Sequence, residues 1–486
     1  MNTSLLKRIK IPHVFVLLAE VVLVCSILTY VIPSGEYERQ TIKVGESTRT
    51  VMVPGTYKTI PKHVSLESVV LGEKVEGKAS PVSVVGLLSA IPRGLENVAD
   101  IVFLVFIVGG VIAVIQRTDT ISAVIQALLS RFSSSGPALT IVLMIAVAIG
   151  GSTMGMGEEL IPLVPIFLLV SQKLGYDRVY GFTLVYLAAN VGFAASTTNP
   201  FTVQIAQGIA ELPLGSGMPL RLVFFTACMA TTLAYVLRYG RKIKRDPSKA
   251  VVPFEDSAVA TGKIETGKIE ITRLRASHVW ILVTCAAVFA LIISLMQVRG
   301  WWLNEMSGGF LLMGVIAVAV SRLPVSEAVA AFVKGMEDMV VAALVVGFAR
   351  GVQVVLADGQ ILDSVIFYAA SLLLNTSRIL AAEGMLVFQT TLNFFIPSGS
   401  GQAAVTMPLM APLSDILGIT RQTAVFAFTC GDGFSNAIIP TSGLLMAMLS
   451  LAKVPYEKWL RFVMPLFLQL TLLSGLFLAI AVLIKY

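Results

Sequence analysis

Long apolar runs alternate with short polar punctuation along this chain, and the lengths of the runs carry the first inference. Runs at 12–32, 99–115, 219–237, 276–297, 304–321 and 460–484 are each close to the roughly 20 residues that a helix needs to cross about 30 Å of hydrocarbon. They predict membrane-spanning helices spread over almost the whole chain. Two further runs are interrupted midway. In the first, Gly150-Gly151-Ser152-Thr153-Met154-Gly155-Met156-Gly157-Glu158-Glu159 separates 138–149 from 160–170. In the second, Pro397-Ser398-Gly399-Ser400-Gly401-Gln402 separates 380–396 from 403–413. Each half is too short to span alone, which predicts two half-helices folded into a re-entrant hairpin. Irregular backbone at that depth is tolerated only where it lines a cavity or is packed in protein.

A second polar break follows each hairpin, Ser196-Thr197-Thr198-Asn199-Pro200 and Pro440-Thr441-Ser442-Gly443. Other echoes keep nearly the same spacing. Arg93-Gly94-Leu95-Glu96 returns as Lys334-Gly335-Met336-Glu337 after 241 residues, and Thr120-Ile121 as Gln360-Ile361 after 240. Pro165, Leu174-Gly175 and Arg178 return as Pro408, Leu417-Gly418 and Arg421 after 243. A string of matches at a stable offset predicts an internal duplication. The basic flank Lys7, Arg8 and Lys10 puts the N-terminus in the cytoplasm and residues 34–80, a small β-rich loop by their pattern, outside. The first copy then starts outside and the second inside, so the copies are expected to be inverted, the arrangement of secondary transporters. The expected organisation is an N-terminal helix and loop (1–84), repeat 1 (85–238, hairpin 138–171), a cytoplasmic linker (239–275), connecting helices (276–324) and repeat 2 (325–486, hairpin 380–414).

Composition narrows the class. Of 486 residues, 56% are hydrophobic and 13% charged, against roughly 25% charged in soluble domains. The fold class expected is an all-α polytopic membrane protein. A net charge of +7 could suggest nucleic acid, but the basic residues gather at segment flanks and no aromatic-interleaved basic patch accompanies them, so no nucleic-acid partner is expected. Ten Lys/Arg and five Asp/Glu lie between Arg238 and Arg275 among Pro, Ser, Thr and Gly, the mark of a flexible linker. The four cysteines and three histidines are scattered, which argues against a disulfide framework or metal centre. No nucleophile–base constellation or P-loop points to an enzyme or a primary pump.

The candidate chemistry lies at the breaks. Ser398, Gly399, Ser400, Gly401 and Gln402 open a half-helix whose amides and positive dipole end favour a carboxylate. Thr198, Asn199, Thr441, Ser442 and Asn436 add hydroxyls and amides for the substrate. A charge at bilayer depth is costly and marks function. That makes Glu158 and Glu159, with Gly155 and Gly157 beside them, and Asp432 the candidates for binding or coupling an ion, Na⁺ or H⁺. Glu20 and Arg350 are read as structural, Arg350 through a pairing with Asp358. Acids without a cation in the hairpins and following breaks favour an amino acid over a dicarboxylate. Those same acids could equally hold a coupling cation that draws in an anion.

The runs Met154-Gly-Met-Gly-Glu-Glu159, Asn199-Pro-Phe201, Ala206-Gln-Gly-Ile-Ala210, Ser398-Gly-Ser-Gly-Gln-Ala-Ala404, Thr406-Met-Pro-Leu409, Gly431-Asp-Gly-Phe-Ser435 and Pro440-Thr-Ser442 resemble the YfcC branch of the DcuC-like, four-carbon dicarboxylate carriers of the ion transporter superfamily. The resemblance covers residues 5–484. It implies an elevator-type homodimer in the inner membrane, carrying four-carbon dicarboxylates or basic amino acids in arginine/ornithine exchange, with no cofactor beyond a coupling ion.

Overall fold

A computed structural model describes residues 14–44, 47–121, 123, 136–254, 275–299, 303–373 and 376–486. The basic flank Lys7–Lys10 and most of the linker lie outside them. Helix α1 (Val14–Val31) leads into four short strands, β1 (Ser34–Glu36), β2 (Arg39–Val44), β3 (Ser47–Met52) and β4 (Lys58–Ile60). β2 pairs antiparallel with β3, Arg39 opposite Met52, and β1 with β4, Ser34 opposite Ile60. A short helix α2 (Leu66–Val70) closes the loop, and the remaining elements are helical.

Helix α3 (Val84–Asn97) runs into α4 (Ala99–Arg117). After the next described helix, α5 (Gly136–Met154), a 3₁₀ turn (Glu158–Leu163) leads into α6 (Val164–Lys173). Helix α7 (Arg178–Phe182) passes through a π-helical stretch (Thr183–Leu187) into α8 (Ala188–Ala194), followed by α9 (Val203–Ile209) and α10 (Met218–Arg245). Helices α11 (Ala276–Arg299) and α12 (Leu303–Ser321) connect to α13 (Val325–Asp338), α14 (Val340–Asp358) and α15 (Leu362–Ser371). The chain ends with α16 (Arg378–Asn393), α17 (Gly399–Ile416), α18 (Arg421–Ser435), α19 (Gly443–Ala452) and α20 (Tyr456–Leu483). Six of the described helices are long and apolar enough to cross a membrane.

Packing exchanges partners between the two halves: α3 lies against α14, and α13 against α4. Both contacts are backbone-close, since a Cβ on Gly94 would strike the Gly347 carbonyl and one on Gly335 the Gly109 carbonyl. Small residues are what allow helices to approach this far in a membrane. Helices α5 and α16 pack in the same way on α8 and α18, and α8 and α18 meet each other. The four short strands are fixed to the second half. Arg39 forms a salt bridge with Asp363 (3.0 Å), Tyr57 stacks on Phe367 (centroids 4.1 Å apart), and the Ser34 hydroxyl donates to the Gly359 carbonyl (2.9 Å).

Four expectations change. Gly150–Met154 is helical, so α5 has spanning length and is not a half-helix. Its glycines serve the crossing with α8: a Cβ on Gly151 would lie 2.5 Å from the Ala189 carbonyl oxygen. Gly399–Gln402 likewise forms the first turn of α17 rather than irregular backbone. Helix α10 continues to Arg245, beyond the expected start of the linker, and the chain after it is held at Val251 and Val252, whose amides donate to Asp177 Oδ2 at 2.9 and 3.1 Å. Finally, Asp358 does not pair with Arg350. Both of its oxygens accept from the Arg93 guanidinium, at 2.5 and 3.0 Å.

Candidate functional site

The first break forms because α5 cannot continue past Met154. Gly155 takes φ +69°, the left-handed region that side chains disfavour. A Cβ there would also lie 2.5 Å from Asn199 Oδ1. Gly155→Ala is therefore expected to cost about 1–2 kcal/mol from its conformation alone, with the clash added. Thermal unfolding of the purified protein measures it, and an unchanged melting temperature would refute this account of the turn.

The second break is set by Pro397, which lacks an N–H and keeps Ile396 out of helical conformation. Ser398 caps the following helix, its Oγ accepting from the Gly401 amide at 3.3 Å. The later breaks, between α8 and α9 and between α18 and α19, are stitched to their surroundings. The Thr197 amide donates to Ser152 Oγ (3.1 Å), the Phe201 amide to Asn199 Oδ1 (2.9 Å), and the Asn393 side-chain amide to Asn436 Oδ1 (2.9 Å).

These breaks surround one cavity of about 300 Å³. Gly155, Gly157 and Glu158 form one side; Ser398, Gly399 and Ser400 another; Asn436, Thr441 and Ser442 a third. Tyr186, Asn190 and Phe193 contribute from the π-helical stretch and α8. Other helices complete the lining, with Val98 and Ile101 at α4 and Val346, Ala349, Arg350 and Gln353 from α14. Thr441 Oγ1 and Asn190 Oδ1 are buried and have no hydrogen-bond partner among the described residues.

Thr198, Asn199, Gly401 and Gln402 are not among the residues that line the cavity. Thr198 donates to the Thr153 carbonyl (3.3 Å), and Asn199 is buried against Gly155. Gly401 packs on Ser398. Gln402 is fully buried, with Nε2 donating to Gln389 Oε1 (2.7 Å) and to the Gln389 carbonyl (2.9 Å). Glu159 stands in the 3₁₀ turn. Glu20 is exposed on α1.

Asp432 is fully buried, and neither carboxylate oxygen has a hydrogen-bond partner among the described residues. Its Oδ2 lies 3.2 Å from where a Cβ on Gly399 would stand. It therefore sits behind the first turn of α17, at the end of the helix that favours negative charge.

Two residues at or beside the site carried no sequence signal that placed them there. Arg350 looked like one charge in an apolar helix, and only the packing of α14 reveals that it faces the cavity. Arg221, fully buried in α10, donates to the Ser196 carbonyl and to Thr429 Oγ1, both at 3.4 Å, and so braces the first of the later breaks.

The family model described as C4-dicarboxylate anaerobic carrier matches residues 11–483. The Escherichia coli (strain K12) protein named "Putative basic amino acid antiporter YfcC" is 31% identical over 477 residues, covering 94% of this chain and 93% of its own. An uncharacterised protein of Haemophilus influenzae is 30% identical over 502 aligned positions, covering 98% of each. Among solved structures, the Alcanivorax borkumensis YdaH transporter aligns over 98% of this chain and 99% of its own, with a TM-score of 0.44 and 16% identity.

Proposed function

This chain belongs to the DcuC family, the C4-dicarboxylate anaerobic carriers, and from that premise we propose that it is a secondary active transporter for a small carboxylate-bearing metabolite. The substrate in this reading is an amino acid, a basic one such as arginine or ornithine, moved in exchange or against an ion gradient. The name of the Escherichia coli relative supports that choice. The family description supports the alternative, a four-carbon dicarboxylate. The observation that carries the transport reading is the single cavity on which both glycine-containing breaks and the later α18–α19 break converge. Its size lies at the small end of ligand pockets.

We further propose that the two halves are inverted repeats working as an elevator. The carrier in this scheme bears the breaks, and α4 and α14 belong to a static scaffold. The matching helix series from Val84 and from Val325, and a cavity walled by two separate groups of helices, support this. Asp432 is the proposed coupling residue, for Na⁺ or H⁺. The protein would sit in the inner membrane as a homodimer with its N-terminus in the cytoplasm.

Counterflow in proteoliposomes tests the carrier reading. Preloading with unlabelled substrate is expected to accelerate entry of labelled substrate several-fold. Entry with no trans-stimulation would instead indicate a channel.

A further inference from the structure

Among the described residues, Arg350 and Glu158 are the charged side chains that line the cavity. Arg350 makes no hydrogen bond or ion pair among the described residues, because Asp358 is committed to Arg93 at both oxygens. The acidic group that bears on it electrostatically is Asp100, at the start of α4. A partly buried guanidinium without a hydrogen-bonded acid is costly unless an anion joins it. Its planar fork matches a carboxylate in two parallel bonds.

The other seat for a substrate carboxylate, the first turn of α17, already has a carboxylate behind it. Asp432 Oδ2 reaches to 3.2 Å from the Cβ position of Gly399. As long as Asp432 carries no coupling cation or proton, a second carboxylate in front of that turn would face it with like charge. Arg350, on α14, has Asp100 as an electrostatic neighbour but no hydrogen-bonded acid among the described residues.

We propose that Arg350 is the anchor for the substrate carboxylate and that the cavity takes an α-amino acid as its zwitterion. The ammonium group then lies in a cavity whose described lining also includes the acid Glu158. A dicarboxylate held by Arg350 would bring a second negative charge into a cavity that already carries Glu158, and like-charge juxtaposition disfavours it. This inference rests on the carrier reading and adds the residue that holds the substrate carboxylate.

The test compares L-arginine, L-leucine, succinate and agmatine, which is arginine without its carboxylate. Competition for uptake is measured in proteoliposomes, and ligand-induced thermal stabilisation in detergent. Wild-type protein is expected to prefer an amino acid over agmatine and over succinate. Arg350→Gln should weaken that amino acid on the order of ten- to a hundredfold, the range for losing a hydrogen-bonded charged partner. It should leave agmatine unchanged, and Arg350→Lys should restore part of the loss.

Wild-type amino-acid affinity in Arg350→Gln would overturn the anchor, and so would preference of the wild type for succinate. Either result leaves the carrier reading standing. If Arg350→Gln is not monodisperse, the wild-type ratio of arginine to agmatine decides, and a ratio near one overturns the anchor. Failure of all four solutes to enter with the wild type counts against the carrier reading, and the anchor falls with it.

Discussion

Asp432→Asn is expected to abolish gradient-driven accumulation, by at least a hundredfold, in a protein that unfolds no more easily than the wild type. Asp432 is fully buried, and both of its oxygens lack hydrogen-bond partners among the described residues. A carboxylate in that setting carries a desolvation cost of several kcal/mol unless a proton or cation neutralises it. The start of α17 beside it offsets only part of that cost, since a helix end contributes about 2 kcal/mol at most. The wild type is therefore expected to gain thermal stability when the coupling cation is supplied, whether as Na⁺ in place of K⁺ or as H⁺ on lowering the pH. The Asn variant is expected to gain nothing from either. Wild-type accumulation by Asp432→Asn, or an undiminished response to cation, would remove Asp432 from coupling.

Ser400 and Gln402, two residues apart at the start of α17, are expected to fail in opposite ways. Ser400 lines the cavity, so Ser400→Trp should fill the binding space and reduce uptake to background while leaving the protein monodisperse and folded. Gln402 is buried and donates twice to Gln389. Gln402→Leu leaves the Gln389 carbonyl and side-chain oxygen without those donors, at about 1–3 kcal/mol for each buried group left unpaired. The purified variant should then show a clearly lower melting temperature. Normal uptake by Ser400→Trp would exclude the start of α17 from the binding space. An unshifted melting temperature in Gln402→Leu would show that the Gln389 contact is not what holds this turn.

That contrast marks how far the sequence could be read. Polar interruptions in apolar runs located residues that line the cavity, because hydrocarbon tolerates irregular backbone only where protein or a cavity satisfies it. Gly155, Gly157, Glu158, Ser398 to Ser400, Asn436, Thr441 and Ser442 all face one space. Which neighbours in a motif face that space was not legible. Once Ser398 caps α17, successive residues turn by about 100°, and Gln402 falls on the side that packs against α16. Gly150 and Gly151 looked like a break because glycine has two uses in a membrane helix. Here Gly151 lets α5 lie against the backbone of α8. The expected partner of Arg350 was wrong for a further reason. Its nearest acid along the chain, Asp358, is taken by Arg93 from another helix, and no periodicity within α14 announces that competition.

Because the guanidinium of Arg350 stands on α14 while the hydroxyls and amides around the cavity stand on the broken helices, the walls of the pocket are not one body in the chain. In the elevator scheme, a sliding of a few ångströms between them would part the charge from the rest of the pocket. Affinity would then become a function of position, high where the walls face each other and low once they separate. Such a device releases its passenger by travelling, and needs no gate of its own to let go.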